Sequence, residues 1–187
     1  MDFITTARQC CGWLVVRCGQ NAGRRIGRLH HPVDEIQELC LAALARSIWL
    51  RRSHFVLTAV PFATSFQLCR YAQEWADTLA KRDAFSHRPN NKYGENIYMA
   101  WSSDPTKEVT GREAVDSWYS EIKQHQFGGE PRSLGSGHFT QVIWKGSTEL
   151  GTARARTATG KLLVVANYNP AGNMIGSFAQ NVPPPKK

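Results

Sequence analysis

The chain has six histidines and five cysteines, and their spacing narrows what chemistry they could do. Cys10, Cys11, Cys18 and Cys40 crowd the first part and only Cys69 follows residue 66, so the C-terminal part can hold no disulfide framework. No Gly-x-Ser-x-Gly elbow and no Cys–His pairing occurs, and Cys69, beside Leu68 near an apolar helix face, reads as structural. Ser120 and Ser136 adjoin Glu121 and the stretch around His138, but without the pattern of an activated nucleophile. His30, His31, His54 and His125 have no partner pattern and read as surface or structural residues. Taken singly, His87 beside Arg88 and Pro89 is a loop residue and Glu95 a turn or capping carboxylate. On the same terms Glu121 is a solvated helix position, and His138 a ring that bonds a backbone carbonyl.

Composition sets the frame for these residues. A chain of 187 residues, 42% hydrophobic, can bury one principal core. Its net charge of +8 divides evenly: residues 1–66 hold 8 Lys/Arg against 4 Asp/Glu, and the remainder 15 against 11. Bases scattered among acids form no stripe, which argues against a nucleic-acid binder and leaves attraction to an anionic membrane surface open. The short apolar patch Gly12–Val16, broken by Arg17, falls short of a signal-peptide core or of the roughly 20 residues that span a bilayer. With no Asn-x-Ser/Thr acceptor and few cysteines, the expectation is an intracellular protein.

Residues 1–66 form an atypical N-terminal region, partly helical or disordered. They are Arg/Gly-rich around Gly19–Gly27 and carry an amphipathic pattern from Val33 to Arg52 (Ile36, Leu39, Cys40, Ala43, Leu44, Ile48). That pattern suits a packing helix better than a membrane-surface anchor. His54–Phe66 receives no element. From residue 67 one domain is expected. Leu68, Tyr71, Ala72, Trp75, Ala76, Leu79 and Ala80 trace one face of a helix ending near Phe85, ahead of a polar loop that contains His87. A second helix starts after Pro105 or Gly111 and runs to about Gln124, burying Ala114, Val115, Trp118, Tyr119 and Ile122. Gly128–Gly137 reads as a loop. Alternation over His138–Lys145 predicts a strand opened by His138, and two further strands, Glu149–Arg156 and Leu162–Tyr168, flank a turn at Thr157–Lys161. Helices followed by an antiparallel meander imply an α+β fold with helices layered on a sheet.

Two stretches are more specific. Gly137-His138-Phe139-Thr140-Gln141-Val142-Ile143-Trp144 resembles, at every position, the G-H-[FY]-[TS]-Q-[VL]-[VI]-W signature of the CAP (SCP-like) family. Val164–Asn173 resembles its second signature, with Ala166 where secreted members carry a cysteine. Leu68–Ala76, Gly94-Glu95-Asn96-Ile97 and Ala114–Ile122 match in the right order, and the lack of disulfide cysteines is similar to the Golgi-associated plant pathogenesis-related subgroup. The resemblance implies a three-layer α/β/α sandwich around a central, mainly antiparallel sheet. It starts only at Leu68: nothing in residues 1–60 reproduces the family's opening helix, so that helix is expected to be missing unless Val33–Arg52 replaces it. The subgroup's N-terminal myristoyl glycine is also not matched by Met1-Asp2.

The resemblance further implies a cleft that gathers His87, Glu95, Glu121 and His138. In it His87 and His138 could hold a divalent metal, Zn2+ above all, and Glu95 and Glu121 could serve as third ligand, orienting partner or general base. The function expected is that of a non-enzymatic protein that binds lipid, sterol or anionic membrane surfaces and self-associates as a homodimer on the cytoplasmic face of Golgi or endosomal membranes, with an extracellular site as the alternative. A zinc-dependent hydrolase using Glu95 or Glu121 as base, and a protein-interaction adaptor with a vestigial cleft, are the other readings.

Overall fold

The computed structural model describes residues 62–131 and 134–184. The Val33–Arg52 pattern, the Arg/Gly-rich stretch and almost all of the 1–66 region lie outside the described residues. In chain order the elements are β1 (Ala63–Thr64), α1 (Phe66–Arg82), β2 (Gly94–Trp101), α2 (Gly111–Ser120, continued as a 3₁₀ turn over Glu121–Gln124) and α3 (Gly137–Ile143). They are followed by β3 (Glu149–Arg156), β4 (Lys161–Asn169) and α4 (Phe178–Asn181). Among the described residues no helix is long and apolar enough to cross a membrane.

The sheet runs β1-β3-β4-β2, antiparallel except for the short β1–β3 pairing. β4 lies between two antiparallel partners and is covered on both faces, which is why its apolar run is nearly continuous. Leu162, Val164, Ala166 and Tyr168 pack with Ala114 and Trp118 of α2 and Val142 of α3. The alternate residues Leu163 and Val165 pack with Ala72, Trp75, Ala76 and Leu79 of α1, together with Ile97 and Ala153. Helix, sheet and helices therefore form the three layers that the resemblance implied.

Local signals explain the helix ends. α1 stops three residues before the expected Phe85 because Asp83 turns left-handed (φ 50°) and the amides of Asp83 and Ala84 cap the carbonyls of Ala80 and Leu79. α2 starts at Gly111 because the Thr110 hydroxyl accepts the Glu113 amide at 3.2 Å. Of its predicted core, Ala114 and Trp118 are buried, whereas Val115, Tyr119 and Ile122 are half-buried. The expected turn at Thr157–Lys161 and the β3–β4 hairpin are present.

Two expectations require correction. His138–Lys145 is not a strand: Gly137–Ile143 is helical, after a short 3₁₀ turn over Leu134–Ser136. Phe139, Thr140, Gln141 and Val142 are buried in succession, so the alternation that suggested a strand does not correspond to an inside and an outside face. A tertiary cap from Glu121 sets the helix instead, overriding the β preference of such residues. The second correction is β2, which the sequence reading did not assign. Apolar Tyr98 and Ala100 on one face and Ile97, Met99 and Trp101 on the other hide its period of two.

Two predictions follow from packing. A Cβ added at Gly151 would lie 2.2 Å from the Leu68 Cβ and 2.3 Å from the Cys69 backbone nitrogen, so only glycine lets α1 approach β3 this closely. Gly151→Ala should lower stability by about 2 kcal/mol, read as a drop in the urea unfolding midpoint. His125, packed against Phe127 and Phe139, is held below its ordinary imidazole value by burial. The unfolded chain then takes up the proton first, so stability should fall as pH drops below about 6.5. His125→Gln should flatten that slope in thermal melts across pH 7.5 to pH 5.5, and an unchanged slope would count against it.

Candidate functional site

Four separate segments deliver the four candidate residues to one cleft. His87 comes from the loop after α1, and Glu95 is the second residue of β2. Glu121 opens the 3₁₀ turn after α2, and His138 stands in the first turn of α3, not at the start of a strand. The imidazoles of His87 and His138 face each other at 6.4 Å between ring centroids, 24° from parallel. Trp118 lies 6.4 Å from His138 with its ring nearly parallel.

Each imidazole is paired with its own carboxylate. The Nδ1 of His87 is 2.8 Å from Glu95 Oε1, and the Nδ1 of His138 is 2.7 Å from Glu121 Oε1. An ionised carboxylate can only accept, so Nδ1 carries the proton in both rings and Nε2 of the neutral imidazole keeps its lone pair. The carboxylates are sunk beneath the rings: the Glu95 and Glu121 side chains are 3% and 21% exposed, against 60% and 35% for His87 and His138.

Backbone donors lock both carboxylates. Glu95 Oε1 also accepts the Arg88 amide at 3.0 Å, and Glu121 Oε2 accepts the amides of His138 and Phe139 at 3.0 and 3.1 Å. These last two are orphan donors at the start of α3, so Glu121 is at once a helix cap and the partner of His138. On the other side Arg88 secures the His87 loop. Its guanidinium sits 3.7 Å over the Tyr71 ring, donates to the Tyr71 carbonyl at 2.8 Å and reaches Glu74 at 3.3 Å.

The two signature stretches also interlock. Gln141 Oε1 accepts the Gly172 amide at 2.9 Å while its Nε2 donates to Ser147 Oγ, which in turn donates to the Pro170 carbonyl. Asn173, left-handed at φ 57°, donates to the Gly137 carbonyl at 2.8 Å and accepts from the Thr140 hydroxyl. Gly94 and Gly172 leave room for the Gln141 amide, which a Cβ at either position would strike. These bonds seat α3, and with it His138.

Among the described residues no group of three or more His, Cys, Asp or Glu converges as a ready metal cage. The donors that the cleft offers are the two Nε2 atoms. The remaining histidine described, His125, lies apart from the tetrad, with Nδ1 2.9 Å from the hydroxyl of the buried Ser136. Sequence reasoning missed the contributions of Arg88 and Asn96. Both adjoin tetrad members, and adjacency was the only signal available.

Residues 57–168 match the family model described as CAP, the cysteine-rich secretory protein family. Over 130 residues, 68% of this chain and 82% of the relative, the sequence is 39% identical to the human Golgi-associated plant pathogenesis-related protein 1. It is 35% identical to pathogenesis-related protein 1C of Nicotiana tabacum over 118 residues, 62% of this chain and 67% of that protein. The crystal structure of NaASP2 with Zn2+ superposes with a TM-score of 0.58 at 27% identity, covering 76% of this chain and 83% of that one. With the family model matched over most of the chain, 39% identity to a relative and an α/β/α sandwich, this chain belongs to the CAP family.

Proposed function

We propose that this chain is a non-enzymatic CAP-domain binding protein whose cleft takes up a divalent cation of the zinc type between His87 and His138. It acts at anionic membrane surfaces, where it binds lipid or sterol and self-associates. The observation that carries the cation reading is the pair of carboxylate–imidazole couples, which turns the two Nε2 lone pairs into the available donors of the cleft. Borderline nitrogen donors suit Zn2+, and a bound cation would supply Lewis acidity and positions open to water or a further ligand. The solved relative NaASP2 was crystallised with Zn2+, which supports the same class of ion here.

Binding is favoured over hydrolysis by what the carboxylates already do. Glu121 receives two backbone amides and a ring N–H, and Glu95 receives one of each and the side-chain amide of Asn167 at 3.5 Å. A carboxylate occupied in this way is a poor general base for an attacking water. Ser136, the serine that has a histidine partner, is buried beneath the surface. The membrane part of the reading draws on the net charge of +8 and on the Golgi association in the name of the human relative, and it places the protein on the cytoplasmic face of Golgi or endosomal membranes. A secreted location is the alternative that the family's description suggests.

Titration calorimetry with zinc chloride at neutral pH should give a binding isotherm for the wild type and none for the folded double variant His87→Ala/His138→Ala; no heat from the folded wild type would sink the cation reading. Glu95→Gln should weaken zinc binding by about tenfold, because it removes the charge that orients the His87 ring while keeping the oxygen that accepts from it. The protein should sediment with phosphatidylserine vesicles at about 0.1 M salt and largely release at about 0.5 M. His138→Ala should leave that sedimentation unchanged, and failure of the wild type to sediment at low salt would remove the membrane reading.

A further inference from the structure

β2 serves both halves of the cleft from consecutive residues. A strand sends neighbouring side chains to opposite faces, so Glu95 reaches the His87 loop while Asn96 points toward α3. Asn96 is 1% exposed, and its Nδ2 donates to the main-chain carbonyl of His138 at 3.0 Å and to the hydroxyl oxygen of Tyr168 at 3.4 Å. Its cross-strand partner on β4 is Ala166, in the apolar cluster that also contains Tyr168. A core-facing strand position of this kind ordinarily takes an apolar side chain, since an amide is costly to bury unless its donors are used.

Glu121 holds the amide and the ring Nδ1 of His138, while the bond from Asn96 holds the carbonyl of the same residue. From this geometry we infer that Asn96 is a positioning residue for the cleft: by fixing the main chain of His138 it sets the distance of that ring from His87. The side-chain bonds of Asn96 go to His138 and Tyr168, whereas Arg88 and Glu95 restrain the His87 side, so Asn96 is assigned to the His138 side of the cleft. The inference rests on the cation-binding reading of the cleft for its consequence, but not for its geometry.

The test combines a metal-free and a metal-loaded measurement on the full chain. In imidazole ¹H–¹⁵N spectra of the metal-free protein, Asn96→Ser should shift the ring signals of His138 and leave those of His87 in place. Zinc titration of the same variant should show affinity reduced by about tenfold. In a His138→Ala or a His87→Ala background the added Asn96→Ser change should cost nothing further, because the spacing of the two rings no longer exists. Unmoved His138 signals, or an equal loss of affinity in the His138→Ala background, would overturn the assignment. Should the serine variant not fold, Asn96→Gln keeps the amide but lengthens it by one methylene, and must give the same shift confined to His138. If the wild type takes up no zinc, the cation reading fails, yet the spectra still decide the role of Asn96.

Discussion

The geometry of the cleft depends on one carboxylate accepting three hydrogen bonds. Glu121 lies at the end of α2, yet its oxygens receive the first amides of α3 and the Nδ1–H of His138. A seven-residue helix has little intrinsic stability in water, and hydrogen bonds to a charged acceptor contribute about 1.5 to 3 kcal/mol each. The helix that carries His138 is thus started by the residue that orients the His138 ring. Ring orientation and helix formation are one event, so a loose cleft on an intact α3 is hard to reach by changing Glu121.

The remaining constraints converge on α3 from the sheet and the following loop. Asn96 holds the His138 carbonyl from β2, Asn173 holds the Gly137 carbonyl, and Gln141 ties the helix to Gly172 and Ser147. β2 pairs with β4 residue for residue from Gly94 to Trp101, so the strand beneath the cleft is tied to the central strand along its whole length. The His87 side is built differently. Its ring is mostly exposed on a loop, and stability there comes from Arg88, stacked on Tyr71 and donating its amide to the buried Glu95. One imidazole is fixed by a helix cap and the other by a guanidinium clamp.

Sequence reasoning recovered what periodicity can carry. α1, α2 and the β3–β4 hairpin were legible because each buries one face of regular spacing, or in β4 a continuous apolar run. α3 was misread as a strand because the residues that determine it are remote: Glu121 lies 17 positions before His138 and Asn173 36 positions after Gly137. β2 went unseen because its two faces are both apolar toward its end. The four cleft residues came from resemblance to a family, not from their own spacing, and the structure brings all four together. Asn96 could not be singled out, since a lone asparagine after a glutamate has the same appearance whether it faces solvent or reaches 42 residues along the chain to a buried carbonyl.

The distribution of exposure bears on what kind of site this is. The carboxylates, buried at Glu95 and half-buried at Glu121, are satisfied and belong to the scaffold, whereas the rings above them are more exposed, so the proposed cation could enter from solvent without unfolding any element. In the proposed reading, two nitrogen donors from separate segments would hold a cation less tightly than a four-ligand site, with its other positions open to water or a further ligand. Such a site does not need to stabilise the fold, because the layers are already joined through β4 and the helix caps.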